Sequence, residues 1–341
     1  MYNEAELVHW MQNSKKILLP AQVDIDLTNI CNQDCYYCNS AEHRKASPVQ
    51  KEYKEYIVLL DRVASWRAHS PNSYGTTHTI TYPGGGEPTV LTGYEHVIEH
   101  TIDLGFLTSL TTNGTKLHKM LDTVDPEKLK KIAWIGVDID AGSEGLYEEI
   151  RHSLGGASWF EQVKQNVLAA TTMGLNVDLK CLVNPYNDNE QAVNDLFAYA
   201  KDVNARSLHI RPVIYNNVAH TISTEYRSWC VQASRKSGVV YRINTSKDEP
   251  RKYTKCHQMY HFPVFCADGT VYVCCDHKGV PEFALCRWDE CDFRDSWMND
   301  KHHRIYNQTI VEMCKPCRPN ATNNRIQSII DQPNLIEVLY K

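Results

Sequence analysis

Three cysteines, Cys31, Cys35 and Cys38, fall within eight residues as C-x3-C-x2-C. Random placement of the chain's 13 cysteines would give that spacing roughly 0.02 times. Three close thiolates suit iron–sulfur or zinc chemistry. A structural zinc needs a fourth ligand, which His43 or a distant cysteine could supply. Three ligands to a four-iron cluster instead leave one iron open to a substrate or cofactor. A second set lies between Cys256 and Cys317, where eight more cysteines gather. It reads Cys256-x12-Gly269-x4-Cys274 and then Cys314-x2-Cys317. Only Cys181 and Cys230 lie between the two sets. In a chain with no export signal, such cysteines point to metal ligands or catalytic thiols before disulfides.

The elements that must carry these groups alternate. Strand patterns cover 22–27, 78–82, 107–112, 132–139, 175–183 and 206–211. Amphipathic helical patterns cover 53–67, 92–104, 157–172 and 189–203. Strands alternating with such helices predict an α/β fold with a parallel sheet. Six units are too few for an eight-fold barrel and predict an open, partial (β/α)6 barrel. In such barrels function gathers at the strands' C-terminal ends. Residues two apart share a strand face, which pairs Asp24 with Asp26, Asp138 with Asp140, Asp178 with Lys180, and His209 with Arg211. Outer helices would cover one face, so these groups are expected to line a polar interior. Beyond about residue 216 the pattern becomes a small Cys-rich α+β region. Helices are expected over 222–236 and 301–312, with a hairpin turning at Asp268-Gly269. The boundaries read as an extension over 1–19, a barrel over 20–220 and a C-terminal domain over 221–341.

The net charge is −5, so general nucleic-acid binding is not expected. No apolar run reaches the roughly 18–20 residues of a membrane span. The start, MYNEAELVHW, lacks the basic and apolar regions of a signal peptide. These features imply a cytoplasmic protein.

The first cysteine set, with aromatic Tyr37 before its last cysteine, resembles the C-x3-C-x-Φ-C motif of the radical S-adenosylmethionine (SAM) superfamily. Gly84-Gly85-Gly86-Glu87-Pro88, after the second strand, resembles that family's GGE(P) element. Thr112-Asn113-Gly114 and Asp138-Ile139-Asp140-Ala141-Gly142 add further echoes, although Asp138 stands where relatives often carry Ser. The resemblance implies that Cys31, Cys35 and Cys38 hold a [4Fe–4S] cluster whose open iron chelates SAM. Tyr37, Gly85, Gly86, Glu87, Asn113 and Asp138 would surround that cofactor. One electron would cleave SAM to a 5′-deoxyadenosyl radical that abstracts hydrogen from a substrate. A flavodoxin- or ferredoxin-type donor is implied as its source.

The second cysteine set resembles the SPASM/Twitch module of the same superfamily. Since no cysteine follows Cys317, it is nearer the Twitch form, with one auxiliary [4Fe–4S] cluster on Cys256, Cys274, Cys314 and Cys317. Cys266 and Cys275 compete with Cys274 as ligands, and zinc is the alternative metal. The leftover Cys266, Cys275, Cys286 and Cys291 read as buried free thiols. Asp140, Lys180, His209 and Arg211 are the candidate catalytic or substrate-binding residues, against the alternative of ion pairs inside the barrel. His257 and His261 read as packing residues, His302-His303 as a solvated helix start, and Lys15-Lys16 as a solvated pair. The substrate expected is a small polar metabolite or nucleotide, oxidised or rearranged. The alternatives are a short ribosomal peptide, or no reaction at all in a zinc-binding protein.

Overall fold

The computed structural model describes residues 17–66, 73–74, 77–215, 218–245, 249–314, 316–317 and 319–332. The expected extension over 1–19, with its Lys15-Lys16 pair, lies almost wholly outside the described residues. All six strand patterns of the barrel form strands: β1 (Gln22–Ile25), β2 (Thr79–Tyr82), β3 (Leu107–Thr112), β4 (Trp134–Asp138), β5 (Val177–Val183) and β6 (Ser207–Pro212). Each pairs in parallel with the next. The helices Tyr53–Ser65, Tyr94–Asp103, Phe160–Thr172 and Glu190–Asp202 occupy the predicted stretches. Alternation decides which face they cover: Val23, Ile25, Ile80, Ile135, Val137 and Leu179 are fully buried beneath them. The in-between positions, such as Asp24, Thr81, Asp138 and Lys180, remain partly accessible on the inner face.

The sheet does not stop at the six strands. A seventh parallel strand, β7 (Tyr241–Ile243), extends it beyond β6. At the other edge β8 (Val264–Phe265) pairs in parallel with β1. From there β9 (Thr270–Tyr272) and β10 (Ala284–Arg287) continue antiparallel. The order is β7-β6-β5-β4-β3-β2-β1-β8-β9-β10. The β8–β9 hairpin turns at Asp268-Gly269 as expected, with Gly269 at φ +89°. The Cys-rich region is therefore hydrogen-bonded onto the first barrel strand. Aromatic packing reinforces that seam. Trp66 stacks on Phe293 at 5.0 Å, and Phe293 also meets Phe265 and Trp297 at 5.1 and 4.9 Å.

Two sequence expectations need correction. His302 is not solvated but fully buried. Its Nδ1 accepts from the Met298 amide at 3.0 Å and its Nε2 donates to the Met259 carbonyl at 3.0 Å. Asn299 caps this helix by accepting from the His302 amide, and His303, one position on, faces solvent. Of the four leftover thiols only Cys266 is fully buried; Cys275, Cys286 and Cys291 are partly exposed. Among the described residues no helix is long and apolar enough to cross a membrane.

Burial holds His302 down to about 3, from an ordinary 6.5. The unfolded chain therefore takes up this proton well before the folded one does. Its contribution to stability is whole above about pH 6.5 and is lost as pH falls toward 3. Urea unfolding of His302→Gln should show a smaller loss between pH 7 and 4 than the unaltered protein. At pH 7 the variant should be about 1–3 kcal/mol less stable, because two buried backbone groups lose their partner.

Candidate functional site

The first cysteine loop follows β1 and is held from three sides. From the β3 side, Asn113 donates to the Asn32 side chain at 2.8 Å, and Asn32 donates to Thr115 at 2.9 Å. From the Glu144–Arg151 helix and the residues after it come two backbone bonds. The Asp34 amide meets the His152 carbonyl at 3.0 Å, and the Leu154 amide meets that of Asn32 at 3.0 Å. From beneath, Arg151 donates to Gln33 at 3.1 Å, to the Tyr37 hydroxyl at 3.0 Å and to Asp140 at 2.6 Å. The Tyr37 hydroxyl donates to the same Asp140 oxygen. Asp140 takes φ +60°, and its other oxygen accepts the Leu182 amide at 2.6 Å. Burial pushes the Asp140 carboxyl up, and the Arg151 guanidinium opposes that shift.

The glycine loop after β2 packs against the cysteine loop through backbone alone. A Cβ at Gly86 would overlap the Ile30 carbonyl, and Gly85 sits at φ +109° against Asp26. The Gly86 amide donates to the Thr28 carbonyl at 2.6 Å and the Glu87 amide to Ile30 at 2.9 Å. Only glycine permits both the approach and the torsion. The buried Glu87 carboxylate joins this loop to the one after β3. It accepts from the Thr89 amide at 3.0 Å, the Thr89 and Thr112 hydroxyls at 2.6 Å each, and the Asn113 amide at 2.7 Å. Burial pushes Glu87 up, and these four donors oppose it.

Cys31, Cys35 and Cys38 are all partly accessible at this end of the barrel. Burial pushes Cys31 up to about 11 and Cys35 to about 12. A metal must therefore displace protons to bind them. No three His, Cys, Asp or Glu side chains among the described residues converge closely enough for one metal ion. A zinc would draw its thiolates to about 2.3 Å, whereas a four-iron cluster meets each thiolate at a separate iron. Three partly accessible thiols on a clamped loop fit the cluster.

Cys256, Cys274, Cys314 and Cys317 lie in one neighbourhood: besides burial, Cys317 and Cys314 raise the Cys256 thiol, Cys314 raises Cys317, and Cys256 raises Cys274. Asn323 donates to the Cys256 sulfur at 3.4 Å, and His277 Nδ1 lies 3.2 Å from that of Cys274. Cys266 is elsewhere, 3.7 Å from buried Asp26, and Cys275 packs beside Val264, Cys266 and Tyr272. Along the inner face, Lys180 pairs with Asp138 at 3.3 Å and lies 3.4 Å from the Thr111 hydroxyl. His209 lies 3.6 Å from Asp178, which Arg206 grips through two nitrogens at 2.9 and 2.5 Å. Arg211 is partly buried one position beyond, opposite Leu182. The structure thus brings Asp140 to Tyr37 beneath the cysteines, while Lys180, His209 and Arg211 line the barrel.

The Radical SAM superfamily model matches residues 25–198, half of the chain. The chain belongs to the radical SAM superfamily. A GTP 3′,8-cyclase of Alkaliphilus oremlandii is 25% identical over 194 residues, 55% of this chain and 56% of that protein. The chain spans about half the length of that relative and of others it matches. Among solved structures, SuiB of Streptococcus suis bound to S-adenosylmethionine superposes with a TM-score of 0.62 at 14% identity. That match covers 83% of this chain and 66% of SuiB. The structure of native anSMEcpe with bound AdoMet gives a TM-score of 0.59 at 17% identity, covering 88% of this chain and 87% of that one. These likenesses establish the radical SAM fold, and membership implies a [4Fe–4S] cluster and SAM.

Sequence reasoning missed Arg151 and Gln33, and it gave Thr112 no role beyond its place in the Thr112-Asn113-Gly114 motif. Each acts on a partner more than 20 residues away, and no local spacing marks such pairs. Arg151→Met should destabilise the protein by about 3–5 kcal/mol in chemical denaturation, since it strands a buried carboxylate. Adding Asp140→Asn should recover part of that loss. An additive double variant would mean the two groups do not act as a pair.

Proposed function

We propose that this radical SAM enzyme abstracts hydrogen from a small polar substrate held inside the partial barrel, with one auxiliary [4Fe–4S] cluster assisting oxidation or rearrangement. The observation that carries the reading is the clamped three-cysteine loop, set against a glycine loop at the mouth of a polar barrel. Cys31, Cys35 and Cys38 would hold the SAM cluster. When bound, cluster and SAM supply one-electron cleavage of the sulfonium and a carbon radical able to take hydrogen. The chain's own residues orient that chemistry. Gly84–Gly86 offer backbone groups without a Cβ in the way, and Glu87 fixes that loop relative to Asn113. Tyr37, locked by Asp140 and Arg151, presents a rigid ring edge beside the cysteines. Asp138 and Lys180 can exchange or hold a proton within the barrel.

Cys256, Cys274, Cys314 and Cys317 would hold the auxiliary cluster. Four thiolates leave no open iron, so its role is to accept or pass an electron. A GTP-cyclising relative favours a small ring-bearing substrate. The second reading is a short peptide, favoured by the fold's likeness to SuiB, which has been solved with its precursor peptide SuiA. Reductive cleavage of SAM calls for one electron from a flavodoxin- or ferredoxin-type donor.

Cys35→Ala should abolish SAM cleavage in anaerobically reconstituted protein. Persistent 5′-deoxyadenosine formation in that variant would overturn the assignment. Cys314→Ala should remove about four irons per chain while SAM cleavage survives. Unchanged iron content would sink the auxiliary assignment.

A further inference from the structure

Away from the cysteine loops, residues of β4–β7 and of the loops leading into β6 and β7 border an open pocket of about 430 Å³. That is within the range of small-molecule sites. One wall is an aromatic plane. The Trp134 indole lies across Gly136, where a Cβ would collide with the ring and with the Lys180 stem. Glycine in the middle of a buried strand is otherwise unfavourable. Here it leaves room for the indole over the inner face.

The facing wall is a hydrogen-bonded chain. Arg242 donates to His209 Nδ1 at 2.9 Å. Arginine can only donate, so the His209 proton sits on Nε2, 3.0 Å from the Ser207 hydroxyl. Ser207 in turn donates to Asp178 at 2.8 Å. Arg206 neutralises Asp178 through its two-nitrogen grip. Among the described residues no carboxylate pairs with Arg242, whose side chain is exposed at the cavity mouth. Burial is the main cause that holds His209 down to about 4; Asp178 opposes it, while Arg242, Arg211 and Lys180 add to it. His209 is therefore neutral, and three cations face it. One positive charge is left over among Asp178, Arg206, His209 and Arg242.

We propose that this cavity binds a planar ring carrying an anionic group, with the ring on Trp134 and the anion at Arg242. The inference deepens the proposed function by giving the class of substrate, and it rests on that reading only in calling the ligand a substrate. The site lies toward the start of β4, away from the cysteine loop. It thus holds a non-reacting end of the molecule, whose binding energy fixes the reacting carbon nearer the strand ends. A phosphorylated nucleoside and an aromatic carboxylate share this chemistry.

Isothermal titration of full-length, anaerobically reconstituted protein tests the proposal. The probes are GMP, indole-3-acetate, guanosine and inorganic phosphate, with SAM titrated into the same preparation. At least one of the two ring-bearing anions should bind about tenfold more tightly than guanosine or phosphate. Preference for GMP identifies a nucleotide site, and preference for indole-3-acetate an aromatic acid site. Arg242→Gln should weaken that ligand about tenfold. Gly136→Ala, which lifts the indole, should weaken it as well. Iron content and circular dichroism report whether each variant folds, and exposed Arg242 is the safer of the two. The proposal is overturned if neither ring-bearing anion outbinds phosphate, or if Arg242→Gln binds like the unaltered protein. Should SAM bind while both anions fail, only this inference falls. Should SAM itself not bind, the functional reading falls with it.

Discussion

A buried carboxylate, Asp140, is the point on which the cofactor end of the molecule turns. It is 1% exposed and sits where β4 ends, in a left-handed turn that aims its two oxygens in different directions. One oxygen gathers Arg151 and Tyr37, and the other takes the Leu182 amide beyond β5. Three segments far apart in the chain are thereby fixed to one group. Burying a carboxylate is costly unless a counter-charge and donors surround it. Asp140 has both, so the arrangement is stable only when complete. The cysteine loop inherits its position from this arrangement. Tyr37 lies between Cys35 and Cys38 and cannot move without breaking it.

The second constraint is backbone proximity. Gly85 and Gly86 allow the loop after β2 to lie against the cysteine loop, and Glu87 ties the same loop to β3. Neither contact uses a side chain that reaches into the barrel mouth. The groups around the cysteines are consequently spent on holding shape, which leaves the loop backbone and the thiols as the accessible chemistry. Further along the inner face, polar residues in register across β4–β7 do the opposite. They meet one another along the barrel interior, Lys180 with Asp138 and His209 with Arg242.

Much of this was legible in the sequence, for a physical reason. Period-two alternation marked six strands within a few residues, because buried positions on an enclosed sheet must be apolar. The cysteine spacing and the glycine run are local patterns, and local patterns survive in one dimension. The partners of Asp140 and Glu87 do not, since Arg151 and Thr112 reach them through the fold and not through the chain. The added strand β7 was hidden, since three residues carry too few positions for alternation to show. The β8–β9 hairpin was legible from its turn, but its pairing onto β1 was not. His302 misled because a polar pair at a helix start resembles a solvated cap. Only Asn299 fixes where the helix begins, and only packing on Tyr260 and Trp297 shows which face is inside.

Lys278 brings the two ends of the chain into one electrostatic unit. It lies four residues after Cys274, yet its ammonium group sits 2.7 Å from Asp26, wholly buried beneath Gly85. Next to it, Gly279 packs against His43, in the helix that follows the cysteine loop. A barrel severed from its Cys-rich tail would keep a buried carboxyl under its own glycine loop without its nearest cation. The first two-thirds of the chain is thus a tenant of the last third. The glycine loop beside the cysteines is complete only once the segment bearing Lys278 is in place.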